Sequence, residues 1–242
     1  MVKLYRDSGL DIYEKVHYAH GEHIREVEQI LTWYLPRNTK VLDIGCSGGL
    51  HALEFARRGF SVVGLDIEPS AIERAESKSR GEMVNVEFRV FDIEHDDMRV
   101  LGIFDFIYSI GNVLSHIRKE RIYEVFRNIR DCLHERGIFL FDFLMNGQPF
   151  QEEFKQDDLR IVWKRKLEEK TGRISMDGIF LDFGITEHFD VWGYSLDEIY
   201  GIASRSGFTH IDFSHQLDFS PAGKNLENPV FLNFRARPKE IR

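Results

Sequence analysis

Three aspartates and one glycine-rich turn are the residues of this chain best suited to hold a small ligand. Asp43 follows the apolar run Val41-Leu42, Asp66 ends Ser61-Val62-Val63-Gly64-Leu65, and Asp92 follows the segment 84–91. Between the first two lies Gly45-Cys46-Ser47-Gly48-Gly49, and from Leu50 to Arg58 apolar residues recur at helical spacing. The pattern reads as strand, tight loop, helix. Glycine lacks the Cβ that would keep a ligand off the backbone, and it adopts positive φ where a turn requires it. Ligands of open α/β sheets sit beyond the carboxyl ends of the strands, so acids at three successive strand ends would line one crevice. Asp66 stands where an acid can accept hydrogen bonds from a ribose diol, and Asp92 could accept from the exocyclic amine of a base. A lone strand-end aspartate serves equally well as a helix or turn cap. Three of them beside a glycine loop argue for a ligand.

The elements that must position these groups follow a strand–helix rhythm. Residues 1–20 are rich in aromatics and histidine, including Tyr5, Tyr13, His17, Tyr18 and His20, with no sustained period. Ile24, Val27, Ile30, Leu31 and Tyr34 predict a helix over 22–35, stopped by Pro36. Strands are expected at 40–44, 61–66, 84–91, 104–110 and 138–143. Helices are expected after the glycine loop, from Glu68-Pro69-Ser70 to about Arg80, and over 119–134, the last closed by Gly137. Near-continuous apolar strands alternating with helices imply a parallel sheet covered on both faces.

The rhythm breaks after the fifth strand. Segments 160–165, 173–177 and 179–191 read as an antiparallel insertion between 159 and 192. Ser195-Leu196-Asp197-Glu198 is a capping box opening a helix that ends at Gly207. Strands 209–216 and 229–236, joined by the loop 221–228, close the chain. Four regions are expected: an N-terminal arm and helix over the ligand site (1–36), the ligand-binding α/β core (37–145), the β insertion as a substrate lid (146–194), and a helix and strand pair completing the core (195–242).

At 242 residues, 43% of them hydrophobic, the chain suits one large α/β domain or, as preferred here, a core with an insertion. A formal net charge of −8 argues against a chain whose main task is to grip nucleic acid. Two cysteines, Cys46 in the loop and Cys132 in the predicted helix, suggest no disulfide framework and fit a reducing cytoplasm. No signal-peptide core is seen, nor any apolar run near the roughly 20 residues that span a bilayer. A soluble, unprocessed cytoplasmic protein without a metal site is expected.

Val41-Leu42-Asp43-Ile44-Gly45-Cys46-Ser47-Gly48-Gly49, Gly64-Leu65-Asp66-Ile67, Phe91-Asp92-Ile93 and Phe104-Asp105-Phe106-Ile107-Tyr108-Ser109 together resemble the successive motifs of the class I S-adenosylmethionine-dependent methyltransferases. The resemblance covers about residues 22–144 and the closing strand pair. It implies a Rossmann-like, doubly wound sheet of seven strands, mostly parallel, with only the last antiparallel. It implies S-adenosylmethionine as cofactor: Gly45 and the loop through Cys46, Ser47 and Gly49 at the methionine part, Asp66 at the ribose hydroxyls and Asp92 with Ile93 at the adenine, with Asp43, Ile67, Ser109, Ile110 and Gly111 also among the cofactor-binding residues. Ser47 stands where the family's loop usually has its middle glycine. The same serine argues against a nicotinamide dehydrogenase, whose fingerprint wants glycine there, and that class leaves Asp92 unexplained.

Gly111-Asn112-Val113-Leu114-Ser115-His116 lies where such enzymes place substrate-facing residues. The Asn/Asp-Pro-Pro-aromatic motif common among nucleic-acid base methyltransferases is absent. Gly-Asn followed by a nearby His is similar to the glycine N-methyltransferase-like and aminosugar N-methyltransferase group, which also has a β insertion after strand five. That resemblance implies a small acceptor, an amine before a hydroxyl. Asn112 and His116 are the candidate catalytic residues; Tyr13, Tyr18 and His20 are candidates for a lid, with Arg25 or Arg160 on a substrate carboxylate. Trp163, Phe180, Phe183, Phe189 and Trp192 are expected to form the insertion's own core or a homodimer contact, with pocket lining second. A methyltransferase of RNA or protein, or a noncatalytic cofactor-binding subunit, remains the alternative.

Overall fold

The computed structural model describes residues 8–33, 35, 39–146, 150–156, 159–219 and 231–238; Tyr5, Tyr34, Pro36, Pro229 and the loop 221–228 lie outside the described residues. The chain begins with α1 (Ser8–His17) and α2 (Glu22–Leu31). The core then alternates β1 (Lys40–Ile44), α3 (Leu50–Arg57), β2 (Ser61–Asp66), α4 (Pro69–Ser79), β3 (Val86–Val90), β4 (Phe104–Ser109), α5 (Ile122–Asp131) and β5 (Leu133–Leu144). An insertion of β6 (Phe150–Gln156), β7 (Leu159–Glu168), β8 (Arg173–Phe180) and β9 (Ile185–Trp192) follows, then α6 (Leu196–Arg205), β10 (Phe208–Ser214) and β11 (Phe231–Pro238).

The main sheet runs β10-β11-β5-β4-β1-β2-β3. Pairs β1–β2, β1–β4, β2–β3 and β4–β5 are parallel, and β11 lies antiparallel to both β5 and β10. The expected sheet, seven-stranded with its last strand reversed, is the one found. Strand order reverses between β1 and β4, which leaves a crevice beyond their carboxyl ends. The amphipathic helix α5 buries Ile122, Val125, Phe126 and Ile129 against this sheet. Phe126 packs on Phe139, Phe141 and Phe143 of β5, with ring centroids 5.5, 5.2 and 6.0 Å away. Each such buried side chain contributes about 1.5–3 kcal/mol, so the floor of the crevice is rigid.

Several boundaries differ from the sequence expectation. α1 forms where no period was evident. α2 ends at Leu31, four residues early, where Thr32 caps it with a side-chain bond to the Gln29 carbonyl. The helix expected over 119–134 spans only Ile122–Asp131, because Leu133 already pairs with Phe104 as the first residue of β5. Gly137 is therefore a strand residue rather than a helix stop. A Cβ there would lie 2.7 Å from the Leu133 side chain and 3.0 Å from the Asp105 carbonyl, at the irregularity where the β4–β5 register shifts.

The insertion is a separate four-stranded antiparallel sheet, β6-β7-β8-β9. Its first strand, Phe-Gln-Glu-Glu-Phe-Lys-Gln, lies upstream of the expected start, and its polar composition hid an edge strand. The segment read as continuous over 179–191 is broken by a 3-10 turn at Leu181–Phe183 and by Gly184 at φ 61°. β8 instead runs on through Gly178, where a Cβ would meet the Trp163 ring at 2.7 Å. The capping box forms as read: Glu198 N–H donates to Ser195 Oγ at 3.2 Å, and Ser195 N–H to Glu198 Oε2 at 2.8 Å. Among the described residues no helix is long and apolar enough to cross a membrane.

Candidate active site

The glycine loop is held by β2. Gly45 and Cys46 N–H both donate to the Leu65 carbonyl at 2.8 Å, turning the chain sharply off β1. Gly45 has φ 78°, and a Cβ on it would lie 2.5 Å from Val113, so a side chain here is barred both by strain and by space. Ser47, in the place of the usual glycine, is nevertheless left-handed at φ 48°. Its N–H donates to Asp66 Oδ2 at 2.8 Å, and the Glu68 N–H donates to Asp66 Oδ1 at 2.9 Å. Two backbone bonds thus fix the Asp66 carboxylate at the mouth of the loop. Burial raises its pKa against the opposing pull of those N–H groups.

These residues border a cavity of about 360 Å³ whose walls include Asp43, Gly45, Cys46, Ser47, Asp66, Ile67, Asp92, Ile93, Ile110 and Gly111. Asp43 is enclosed, its Oδ2 has no hydrogen-bond partner, and burial pushes its pKa up to about 7. Ser47 Oγ is likewise buried without a partner. Ile67 is 59% exposed, an uncovered apolar edge. Asp92 accepts from Glu94 N–H at 2.9 Å and bonds the His95 ring at 2.8 Å. Burial raises its pKa, but those two bonds outweigh it and leave the carboxyl below its ordinary value.

Two predicted members of this set stand off the cavity. Gly49, at φ 78°, is required by packing, because a Cβ would lie 2.7 Å from Ala75 and 2.9 Å from Phe88. Ser109 is fully buried and donates to the Ile44 carbonyl at 3.2 Å, tying β4 to β1.

A second cavity of about 600 Å³ lies beside the first. The two share Tyr13, Tyr18, Ile110, Gly111 and His116. Tyr13 and Tyr18 come from α1 and the turn after it, with ring centroids 6.0 Å apart in edge contact. Burial pushes Tyr13 up to about 12. Asn112 lines the second cavity with φ 62° and a buried, unpartnered Oδ1. His116 stacks on Phe189 of β9 at 5.6 Å, and enclosure lowers its pKa, so it is neutral at pH 7. The other sequence candidates fall elsewhere. His20 and Arg25 are exposed at the start of α2, where Arg25 pairs with Glu22 and with the His20 carbonyl, and neither borders a cavity. Arg160 pairs with Asp182 at the insertion's edge. Of the aromatics assigned to the insertion's core, Trp163 and Phe189 do line the second cavity, Phe180 is core, and Phe183 is exposed.

Other groups at the second cavity were not foreseen. Asp142 of β5 accepts Gly111 N–H at 2.9 Å and Asn112 N–H at 2.8 Å, and burial holds its pKa at about 7. Like Asp43 and Asp66 it stands near the carboxyl end of a strand, so the same pattern could have flagged it. Glu26 of α2 also lines this cavity and bonds His51 Nε2 at 2.6 Å; His51 in turn lines the first cavity. His17, desolvated between the two tyrosines and α2, is pushed down to about 4. No local sequence signal marks Glu26 or His17.

The sheet order is that of a Rossmann-like methyltransferase fold, and residues 41–137 match the Methyltransferase domain family. The chain is 29% identical to a putative methyltransferase of Geobacillus over 43% of this chain and 41% of that one. It is 33% identical to a ubiquinone biosynthesis O-methyltransferase of Xanthomonas axonopodis over 34% of each. The chain spans about half the length of the curated relatives it matches first, 41% and 55%. Among solved structures, the amino pentose methyltransferase CalS10 of Micromonospora echinaspora superposes with TM-score 0.69 at 15% identity, covering 99% of this chain and 100% of that one.

Proposed function

We propose that this chain transfers a methyl group from S-adenosylmethionine to an amine nitrogen of a small molecule. The first cavity fits the cofactor: a loop whose backbone is bare at Gly45, and two unpartnered buried acceptors, Asp43 Oδ2 and Ser47 Oγ, for the polar methionine end. Asp66 keeps lone pairs for the ribose hydroxyls, and Ile67, Asp92 and Ile93 offer an apolar and a polar edge for adenine. When bound, the cofactor supplies an electrophilic methyl group on a sulfonium.

The observation that carries the amine reading is the charge of the second cavity. Glu26 and Asp142 line it, whereas no lysine or arginine does among the described residues. Both carboxylates act electrostatically on Tyr13 and Tyr18, so their field reaches the junction of the two cavities. Methylating a neutral amine leaves positive charge on its nitrogen, and the negative charge of Glu26, with that of Asp142 in its ionised form, favours the transition state over the ground state. Methylating a hydroxyl requires negative charge to grow on oxygen, which the same groups oppose. The amine fold relative CalS10 is in keeping with this.

In this reading Asn112 Oδ1 accepts from an acceptor N–H and aims its lone pair, neutral His116 takes part in orienting it, and Tyr13 and Tyr18 exclude water. Alignment of this kind supplies about 7–11 kcal/mol at best. The test is a transfer assay with methyl-labelled cofactor and a pool of small amines, with product mass as readout. Asn112→Ala and His116→Ala should each lower turnover at least tenfold while cofactor affinity stays within about twofold. Label found only on hydroxyls, RNA or protein would overturn the proposal, and lost cofactor affinity in both variants would remove these two residues from the acceptor side.

A further inference from the structure

We propose that the acceptor is an amine that enters as an organic cation and whose enclosed part bears neither carboxylate nor phosphate, as in an amino alcohol; its ammonium proton passes to the Asp142 carboxylate before the freed lone pair attacks the methyl group. This rests on the methyl-transfer reading of the same site and narrows its substrate.

Among the described residues Glu26 and Asp142 line the second cavity and no lysine or arginine does, beside neutral amides and His215, whose Nε2 is buried without a partner. Asp142 spends one lone pair of each oxygen on the Gly111 and Asn112 N–H groups, which leaves the others toward the cavity. Glu26 commits one oxygen to His51 and its carboxylate faces the same space. Asn112 Oδ1 is buried and accepts from nothing among the described residues. The histidines depressed by burial, His17 and His116, remain neutral at pH 7 and bring no compensating charge. Trp163 and Phe189 line the same cavity, and aromatic rings there suit a cation's carbon-bound hydrogens.

An anionic substituent would need a guanidinium or ammonium, and no described arginine or lysine borders this cavity. Arg25 and Arg160 are outside the cavity and paired with Glu22 and Asp182. Lys119 pairs with Glu198. Arg165 is buried on the same face of β7 as Trp163, but it does not border the cavity and donates to the Met145 carbonyl at 3.2 Å. A carboxylate brought into this space would meet two carboxylates and a carbonyl oxygen. Like charges in a partly desolvated site repel far more strongly than in water, so the exclusion is electrostatic rather than steric. A volume of about 600 Å³ leaves room for an amine much larger than a two-carbon one.

The experiment compares matched pairs on the full chain with labelled S-adenosylmethionine: 2-aminoethanol with glycine, serinol with serine, and glucosamine with glucosamine 6-phosphate, beside a mixed amine pool. The expected result is label on acid-free amines, with kcat/KM at least a hundredfold above that of the anionic partner in any pair turned over. Equal or preferred use of the anionic partner, or pool products that bear an acid group, overturns this proposal and leaves methyl transfer to amines standing. Transfer to no amine at all overturns both. Glu26→Gln keeps a hydrogen-bonding group for His51 and should narrow the preference at least tenfold, chiefly through KM for the cation. A folded Glu26→Gln chain with unchanged preference would remove Glu26 from the selection, and the paired comparison on the unaltered chain stands whether or not that variant folds.

Discussion

The two cavities are built differently. The first is made almost wholly from consecutive strand–loop–helix units, so that Asp43 to Ser47, Asp66 to Glu68 and Asp92 to Glu94 each bring wall residues from one short stretch. The second is assembled from α1, α2, the turn after β4, β5, the insertion and the turn after β10, which meet only in the folded chain. A cavity fixed by local turns and parallel register keeps its chemistry as long as the core folds. One assembled from distant pieces can be rebuilt piece by piece, which suits the acceptor side proposed for it. Gly111 and His116, between the two, belong to both.

If the difference holds, damage to one cavity should leave the other intact. The largest effect is expected from Asp66→Ala. It removes two fixed hydrogen-bond anchors of the loop as well as the proposed ribose contact, and S-adenosylmethionine affinity should fall about 100-fold by calorimetry, as losing one to two charge-assisted bonds implies. Unchanged affinity would detach Asp66 from the cofactor. Trp163→Ala should raise KM for the amine about tenfold, the size of a buried aromatic contact, while cofactor binding by the same calorimetry stays as it was. A parallel loss of cofactor affinity would merge the two cavities into one unit.

A third test uses the acids held near pH 7. Asp43 and Asp142 bind their protons more tightly when folded than when unfolded, because burial pushes both up to about 7. Their stabilising contribution is therefore complete below about pH 4 and is lost as pH rises to about 7. Asp43→Asn should make the ligand-free chain melt a few degrees higher than the parent at pH 7.5, with little gain at pH 4. A gain of equal size at both pH values would show that the carboxyl's titration is not responsible. The smallest effect is expected at the tether of α1 over the first cavity. There Glu14 pairs with Arg74 and Lys78, and Lys78 also donates to the Gly48 carbonyl at 2.9 Å. Arg74→Ala should weaken cofactor binding by a fewfold only, since a part-exposed pair contributes about 0.2–1 kcal/mol.

Legibility in the sequence follows the same division. β1 and β2 lie where apolar runs ending in an acid put them, and the capping box of α6 formed as read. The misjudged boundaries lie where a partner strand decides, as at Leu133, which joins β5 because Phe104 is there to pair with it. α1 escaped notice because its apolar residues face two different neighbours. Leu10 and Val16 are buried, while Tyr13 and His17 turn to the cavities, so no single stripe marks the helix. Arg25 looked like a carboxylate clamp until its geometry placed it with Glu22 on the outside of α2.

By itself the sequence determined the parallel core and the glycine loop with its acids, and hence the cofactor proposed for the first cavity, because that cavity is walled by residues near one another in the chain and by strand ends whose direction the βα rhythm fixes. Only the tertiary structure decided the second cavity, the proposed acceptor side: that Glu26 of α2, Asp142 of β5 and Trp163 of the insertion line one space. Their meeting depends on packing α2 against elements more than a hundred residues downstream, and no local pattern of residue types encodes it.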